Sequence, residues 1–252
     1  MSKESFPERE AGKADIYETA GVYLEELKDA VKGEAIELAK MGFPVTQDCR
    51  IDERSFQMLY REDQVLADRR RVEDLESGFR KDAPEKKMGE LLEVSKTLAF
   101  NKFWFNKRLV AVRTSKYDDY VNEIDELVLD TKTHEPLAFI DTTTNWEAKA
   151  NELMEKIERG GRIKYGLRFD RQGKVRPVAY ERLPILILSL HDEEVLKLAK
   201  DLKSGELGAE SGKLERVVSE ALMRESVNLK SIVPPKMQEL YDRVLRIFRE
   251  LA

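Results

Sequence analysis

The sequence predicts an α+β protein: a mixed β-sheet core with helical extensions at its N- and C-termini. Three observations lead there. Apolar residues recur at a helical period from about Ile16 to about Ala99. Between about residues 108 and 190 the period falls to two, over four or five strand-like segments. Beyond His191 the helical period returns. The order is α-rich, then α-β-β-β-α-β-β, then α-rich, and a mixed sheet flanked by helices is the core that such an order builds.

Residues 1–15 are polar, charged and aperiodic, and are expected to form a mobile leader. From residue 16 to about 41, Val22, Leu27, Val31, Ala35 and Leu38 mark a helix. Gly42-Phe43-Pro44 ends it, because proline disfavours helical geometry in the residue before it. A second helix is expected from about Asp52 to Gly78. Its apolar positions, among them Met58, Val65, Val72 and Phe79, are sparse and near heptad spacing. Such a seam suits a solvated helix packed on one side, or a hairpin with the first helix or with a partner protein's helix. Residues 16–81 therefore read as a helical hairpin extension. Asp82-Ala-Pro84-Glu85 starts a third helix, with Asp as cap and Pro in the first turn. Strands are expected at 108–113, 123–129, 137–143, 163–169 and 175–190, the last interrupted at Pro184. A helix at 146–159 is stopped by Gly160-Gly161. The α/β core is thus assigned to 82–203. The loop 204–212, with three glycines, and helices at 213–229 and 235–251 make 204–252 a C-terminal helical extension.

The 252 residues carry 44 Lys+Arg against 49 Asp+Glu, a net charge of −5, with 41% hydrophobic residues. That is too polar for a membrane protein and too apolar for a disordered one. No stretch approaches ~18 consecutive apolar residues, and the N-terminus lacks the apolar region of a signal peptide. A cytoplasmic protein without a membrane partner is expected. One cysteine, Cys49, excludes an internal disulfide and a Cys-based zinc site within the chain. With only His134 and His191 as histidines, a metal would be held mostly by carboxylates, which suits magnesium or manganese. The mild acidity offers no global attraction to nucleic acid, so such binding needs a local basic patch.

Residues 118–141 hold eight carboxylates (Asp118, Asp119, Glu123, Asp125, Glu126, Asp130, Glu135, Asp141) and one cation, Lys132. On the strand 123–129, Asp125 shares a face with Leu127 and Leu129. On 137–143, Asp141 and Thr143 share a face with Leu137 and Phe139. Aspartates on apolar strand faces are costly without partners. The short loop 131–136 makes the two strands neighbours, and a divalent cation is the simplest way to keep both carboxylates ionised. Asp118, Asp130 and Glu135 read as solvated rim positions, and Asp119 and Asn122 as residues shaping the turn before the strand.

A helix with a glutamate, a strand, an aspartate on the next strand and an acidic residue two before a polar one on the third: this resembles the PD-(D/E)XK nuclease superfamily, whose core runs α-β-β-β-α-β. The resemblance covers roughly residues 82–190. It implies a restriction-endonuclease-like fold and magnesium- (or manganese-) dependent cleavage of phosphodiesters. Asp125 and Asp141 would be the metal ligands, and Glu93 (or Glu90) the helix glutamate that completes the site. Phe139-Ile-Asp141-Thr-Thr143 stands as the third motif. There the family has a lysine two residues after the acidic one, and this chain has Thr143, which supplies no cation. A basic residue on the following helix, Lys149 being the best placed, could take over that role, or the site is degenerate. Two functions are expected accordingly: a metal-dependent nuclease-like protein that cleaves or binds nucleic acid, or a catalytically inactive nuclease-fold scaffold recruiting a protein through its helical extensions.

Residues 159–177 contain seven Lys or Arg and one acid, Asp170. Arg162, Lys164 and Arg168 alternate with Ile163, Tyr165, Leu167 and Phe169, so a cationic stripe is expected on the outside. It would either hold a phosphate backbone or guard an edge against aggregation. Cys49, His134 and His191 read as structural, and there is no glycine-rich phosphate loop of Walker or Rossmann type.

Overall fold

A computed structural model describes residues 6–78, 84–143, 146–205 and 209–251. Helices α1 (Phe6–Lys40) and α2 (Glu62–Gly78) precede the sheet region, and α3 (Pro84–Lys102) leads into it. Strand β1 (Leu109–Arg113), helix α4 (Lys116–Asn122), and strands β2 (Glu126–Asp130) and β3 (Glu135–Thr143) follow. Then come α5 (Trp146–Arg159), β4 (Gly161–Phe169), β5 (Val175–Leu183) and β6 (Ile185–Ser189). Helices α6 (Asp192–Ser204), α7 (Ala209–Lys230) and α8 (Pro235–Leu251) close the chain. The protein is mixed α+β with helical termini around a small mixed sheet.

The main sheet has the order β1-β2-β3-β6. The first three strands form an antiparallel meander, and β6 joins β3 in parallel. Strands β1 and β2 are buried at every residue, and β6 at all but the last. Apolar runs such as Leu-Val-Ala-Val and Ile-Leu-Ile-Leu suit strands covered on both faces. Helix α3 lies on one face, itself packed under α1 and α6. The β4–β5 hairpin and α8 cover β3 from the other. There Phe139 meets the Tyr180 ring at 6.3 Å. Gly161 enters so closely that a Cβ would stand 2.5 Å from Phe139 Cδ2, which explains a glycine at that position.

Both edges of this sheet are closed by side chains and loops. Beside β1, the Asn101 amide accepts from Ala111 N at 2.8 Å and donates to Ala111 O at 2.9 Å. Ile51 N donates to Arg113 O at 2.9 Å, and Arg113 N to Cys49 O at 3.1 Å. Beside β6, Ile187 N donates to Glu225 Oε1 at 2.9 Å, and Tyr241 Oη donates to Ile185 O at 3.0 Å. These contacts satisfy groups that would otherwise template a further strand.

Glu225 is 8% exposed, and burial pushes its carboxyl up to about 8. Its folded-state pKa lies above the unfolded value, so its stabilising contribution is full below about pH 4.5 and is lost as pH rises through about 8. Glu225→Gln keeps an acceptor for Ile187 N without the charge. Its melting profile should be flatter over that window. At pH 9 it should exceed the wild type by up to ~5 kcal/mol, since each pH unit separating the folded and unfolded values is worth ~1.36 kcal/mol.

Several boundaries differ from those expected. Helix α1 begins at Phe6, so residues 6–15 are helical rather than a leader; residues 1–5 lie outside the described part. Among the described residues α1 and α2 do not form a hairpin: α1 packs on α3 and α6, and α2 on α4. Ala20, Leu27 and Leu38 of α1 join the same core cluster as the sheet, so residues 16–81 are not an appended extension. The expected helix from Asp52 splits, because Asp52 caps a 3₁₀ turn (Glu53–Phe56) that sends Phe56 inward. Helices α7 and α8 likewise cover β6 and β3 rather than extending beyond the core. The stretch 123–129 opens with Glu123 in the left-handed region (φ 54°) capping α4, and the strand starts at Glu126. Residues 175–190 make two strands in two sheets, divided at Pro184.

Candidate functional site

The antiparallel register pairs Leu127 with Phe139 and Glu126 with Ile140. Asp125 immediately precedes β2 and Asp141 follows Ile140 on β3, near enough for the charge of Asp125 to act on Asp141. Asp125 is held in place by Thr142, whose amide and hydroxyl donate to its Oδ2 at 2.7 and 2.6 Å. Asp141 is 1% exposed, and among the described residues its one polar partner is Lys149. Lys149, from the first turns of α5, places Nζ 3.3 Å from Asp141 Oδ2. Burial, then the charge of Asp125, push the Asp141 carboxyl up to about 8, with Lys149 opposing. Burial works against the charge on Lys149, yet Asp141 and Asp125 hold its ammonium above the ordinary lysine value.

Glu93 belongs to the same charged cluster, since its field, after burial, helps raise Asp125. Its own Oε2 is engaged by Arg113 at 2.5 Å and by Arg50 at 3.3 Å. Burial opposes ionisation there, but the two guanidiniums hold its carboxyl below the usual range. Glu90 is exposed on the rim of a cleft of about 490 Å³ that Glu93, Arg50, Arg113 and Asp119 also line. Arg50 comes from the loop before the 3₁₀ turn and reaches Asp119 Oδ2 at 2.8 Å. Burial, and then the charges of Glu93 and Asp125, raise Asp119 to about 6 against Arg50. Asp119 is thus part of the cluster rather than a turn-shaping residue. Thr143 ends β3 half-buried, its carbonyl accepting from Leu190 N at 3.4 Å.

Sequence reasoning missed two features around this cluster. The first is the pair Lys96–Glu126, 3.1 Å apart and 1% and 0% exposed, with Thr97 Oγ1 donating to Glu126 at 2.5 Å. Only the Ser95-Lys96-Thr97 run, set within an apolar helix stretch, could have signalled it. The second is Arg50, for which the sequence offers no signal.

Asp118 and Asp130, expected to be solvated, are each 0% exposed. Asp118 accepts from Ser115 Oγ, Asn122 Nδ2, Lys164 N and Tyr165 N, which ties α4 to β4. Asp130 is held by Arg108 at 2.8 Å. The expected cationic stripe is broken as well. Lys164 is turned inward, ion-paired with Asp68 and stacked over Tyr60, Tyr117 and Tyr165, while Arg162 and Arg168 are exposed. Stacking over three rings is favourable for an ammonium and is why β4 does not present it to solvent.

Among the described residues, no group of three or more His, Cys, Asp or Glu is arranged to cage a metal, and no helix is long and apolar enough to cross a membrane. Compared with protein-family models, curated proteins and solved structures, the chain shows no match.

Proposed function

We propose that this chain is a metal-dependent phosphodiesterase of the restriction-endonuclease-like type, acting on nucleic acid. The carrying observation is Asp141: a buried carboxylate whose one polar partner among the described residues is Lys149, and which feels the neighbouring charge of Asp125. A carboxylate is rarely left so without a functional reason. The element order supports the fold assignment, since α3-β1-β2-β3-α5-β6 follows α-β-β-β-α-β, with the short helix α4 inserted between β1 and β2 and the β4–β5 hairpin before the last strand.

Magnesium or manganese fits this donor set, because both favour carboxylate oxygens and keep several waters when few protein ligands are offered. Asp141 and Asp125 would hold the ion, which when bound would activate water and offset charge on the phosphodiester. Thr142 fixes the Asp125 carboxylate. Lys149 supplies, from the helix, the positive charge that Thr143 cannot, next to the position where negative charge develops. Glu93 stays ionised under Arg50 and Arg113 and adds negative field rather than a ligand atom. The scaffold alternative has less behind it, as α1 is committed to the core instead of standing free for a partner.

An activity screen on single-stranded and duplex DNA and RNA tests the reading. The wild type should cleave at least one substrate with Mg²⁺ or Mn²⁺. Asp141→Asn should lower the rate at least ~100-fold, and Lys149→Met ~10- to 100-fold, in line with the loss of one electrostatic contributor. A wild type inert on every substrate, or an unimpaired Asp141→Asn, would sink the enzyme assignment.

A further inference from the structure

At the far end of α5 lies a groove of about 880 Å³ formed where α5, the start of β4, the end of β5 and the start of α8 converge. Five cations line it: Lys156, Arg159, Arg162, Arg182 and Lys236. Two are neutralised locally, Lys156 by Glu123 and Arg159 by Glu155. Arg162, Arg182 and Lys236 have no carboxylate within ion-pair distance among the described residues, although Glu158 and Glu181 also line the groove. Arg162 and Arg182 are exposed on neighbouring strands, and Lys236 sits in the first turn of α8, which carries no acidic residue. The floor is partly apolar, from Val121, Ile124, Pro235 and Met237. Three cations from three elements, against the two carboxylates of Glu158 and Glu181, leave the cavity a net positive surface suited to a polyanion with apolar parts.

The groove lies one residue along the chain from the first aspartate. Ile124, in its wall, immediately precedes Asp125. Lys156 stands two helical turns beyond Lys149 on α5, a rise of about 10 Å, or about three phosphate steps along one strand of a duplex.

We propose that this groove holds the phosphate backbone of the nucleic-acid substrate, with Arg162, Arg182 and Lys236 as its phosphate contacts. Arg182 and Lys236 belong to the inserted hairpin and the last helix, outside the α-β-β-β-α-β core, so the family resemblance assigns them no role. The surface takes the place of the expected stripe: Arg162 is kept, and Lys164 is engaged by Asp68 and the tyrosine rings instead. The identity of the polyanion rests on the nuclease reading; the location of its binding does not.

The test uses the full chain in EDTA, so that binding is read without metal or cleavage. Fluorescein-labelled single-stranded and duplex oligonucleotides are titrated by anisotropy over a range of salt. Replacing Arg162, Arg182 and Lys236 together by Ser should weaken binding at least tenfold at ~50 mM salt. It should also reduce the magnitude of the salt slope by about 2 for single strands or about 3 for duplex, at ~0.7 and ~0.9 per phosphate contact. A melting curve matching the wild type shows that the variant is folded. Because no metal is present in the assay, a failed metal site would leave this result standing. An unchanged slope and affinity in the triple variant, or no wild-type binding to either oligonucleotide at low salt, would overturn the groove assignment.

Discussion

Lys96→Met should cost ~3–5 kcal/mol, because it strips the counter-charge from a fully buried carboxylate and leaves the methylene volume in place. For a chain of this length that is a fall of roughly 10 °C in melting temperature. Glu126 would keep its hydrogen bond from Thr97 Oγ1 but lose Lys96, 3.1 Å away. Burial already raises the Glu126 pKa, with Lys96 the main opposing influence. Without Lys96 the residue would take up a proton more readily, so the penalty should shrink as pH falls. Adding Glu126→Gln in the Lys96→Met background should recover most of the loss, since a neutral pair removes the uncompensated charge and keeps the acceptor for Thr97. Chemical denaturation of the wild type and both variants at pH 8 and pH 5 measures all of this. A single variant as stable as the wild type at pH 8 would mean that the pair contributes nothing.

Asp118→Ala should be nearly as damaging. Its carboxylate takes four donors, two of them the backbone N–H groups of Lys164 and Tyr165 at 2.7 and 2.9 Å. An Ala leaves those amides, with Ser115 Oγ and Asn122 Nδ2, facing a void at the α4–β4 junction. At ~1–3 kcal/mol for each buried donor left unpaired, and with water entering to satisfy some, a loss of about 4 kcal/mol is expected. Asp118→Asn should fail to rescue it, because an amide nitrogen would then confront donors. Amide exchange at Lys164 and Tyr165 should accelerate in both variants, whereas exchange at Ile187, in β6 of the four-stranded sheet, should change only as far as global stability does.

How much is legible in the sequence depends on whether local pattern and tertiary role agree. Helix α5 can be read over its whole length, since its apolar stripe is periodic and Gly160, at φ 82°, has no alternative to ending it. That Asp125 and Asp141 come near each other follows from the antiparallel pairing of β2 with β3 through a short hairpin loop, a local property. Lys96 and Asp118 mislead for a shared reason: a charged residue looks solvated until its partner, distant in sequence, is known. Glu126 and Lys164 are 30 and 46 positions away from them, respectively, and no periodicity encodes such pairings. The expectation of a separate N-terminal extension rests on a sparse seam on α2. Nothing local says that α1 lies on α3, because an amphipathic helix does not declare which element it covers. Arg162 is legible as exposed, but the groove around it needs Arg182 and Lys236, which only the return of β5 and α8 to the end of α5 brings near.

The claim on which the proposed function turns is that Asp125 and Asp141 together take a divalent cation, and Mn²⁺ uptake followed by electron paramagnetic resonance measures it without any substrate. The wild type should sequester about one Mn²⁺ per chain, displaceable by excess Mg²⁺, and Asp141→Asn should abolish that uptake while remaining folded. Equal uptake by the two proteins, or none by the wild type at millimolar Mn²⁺, would contradict the claim.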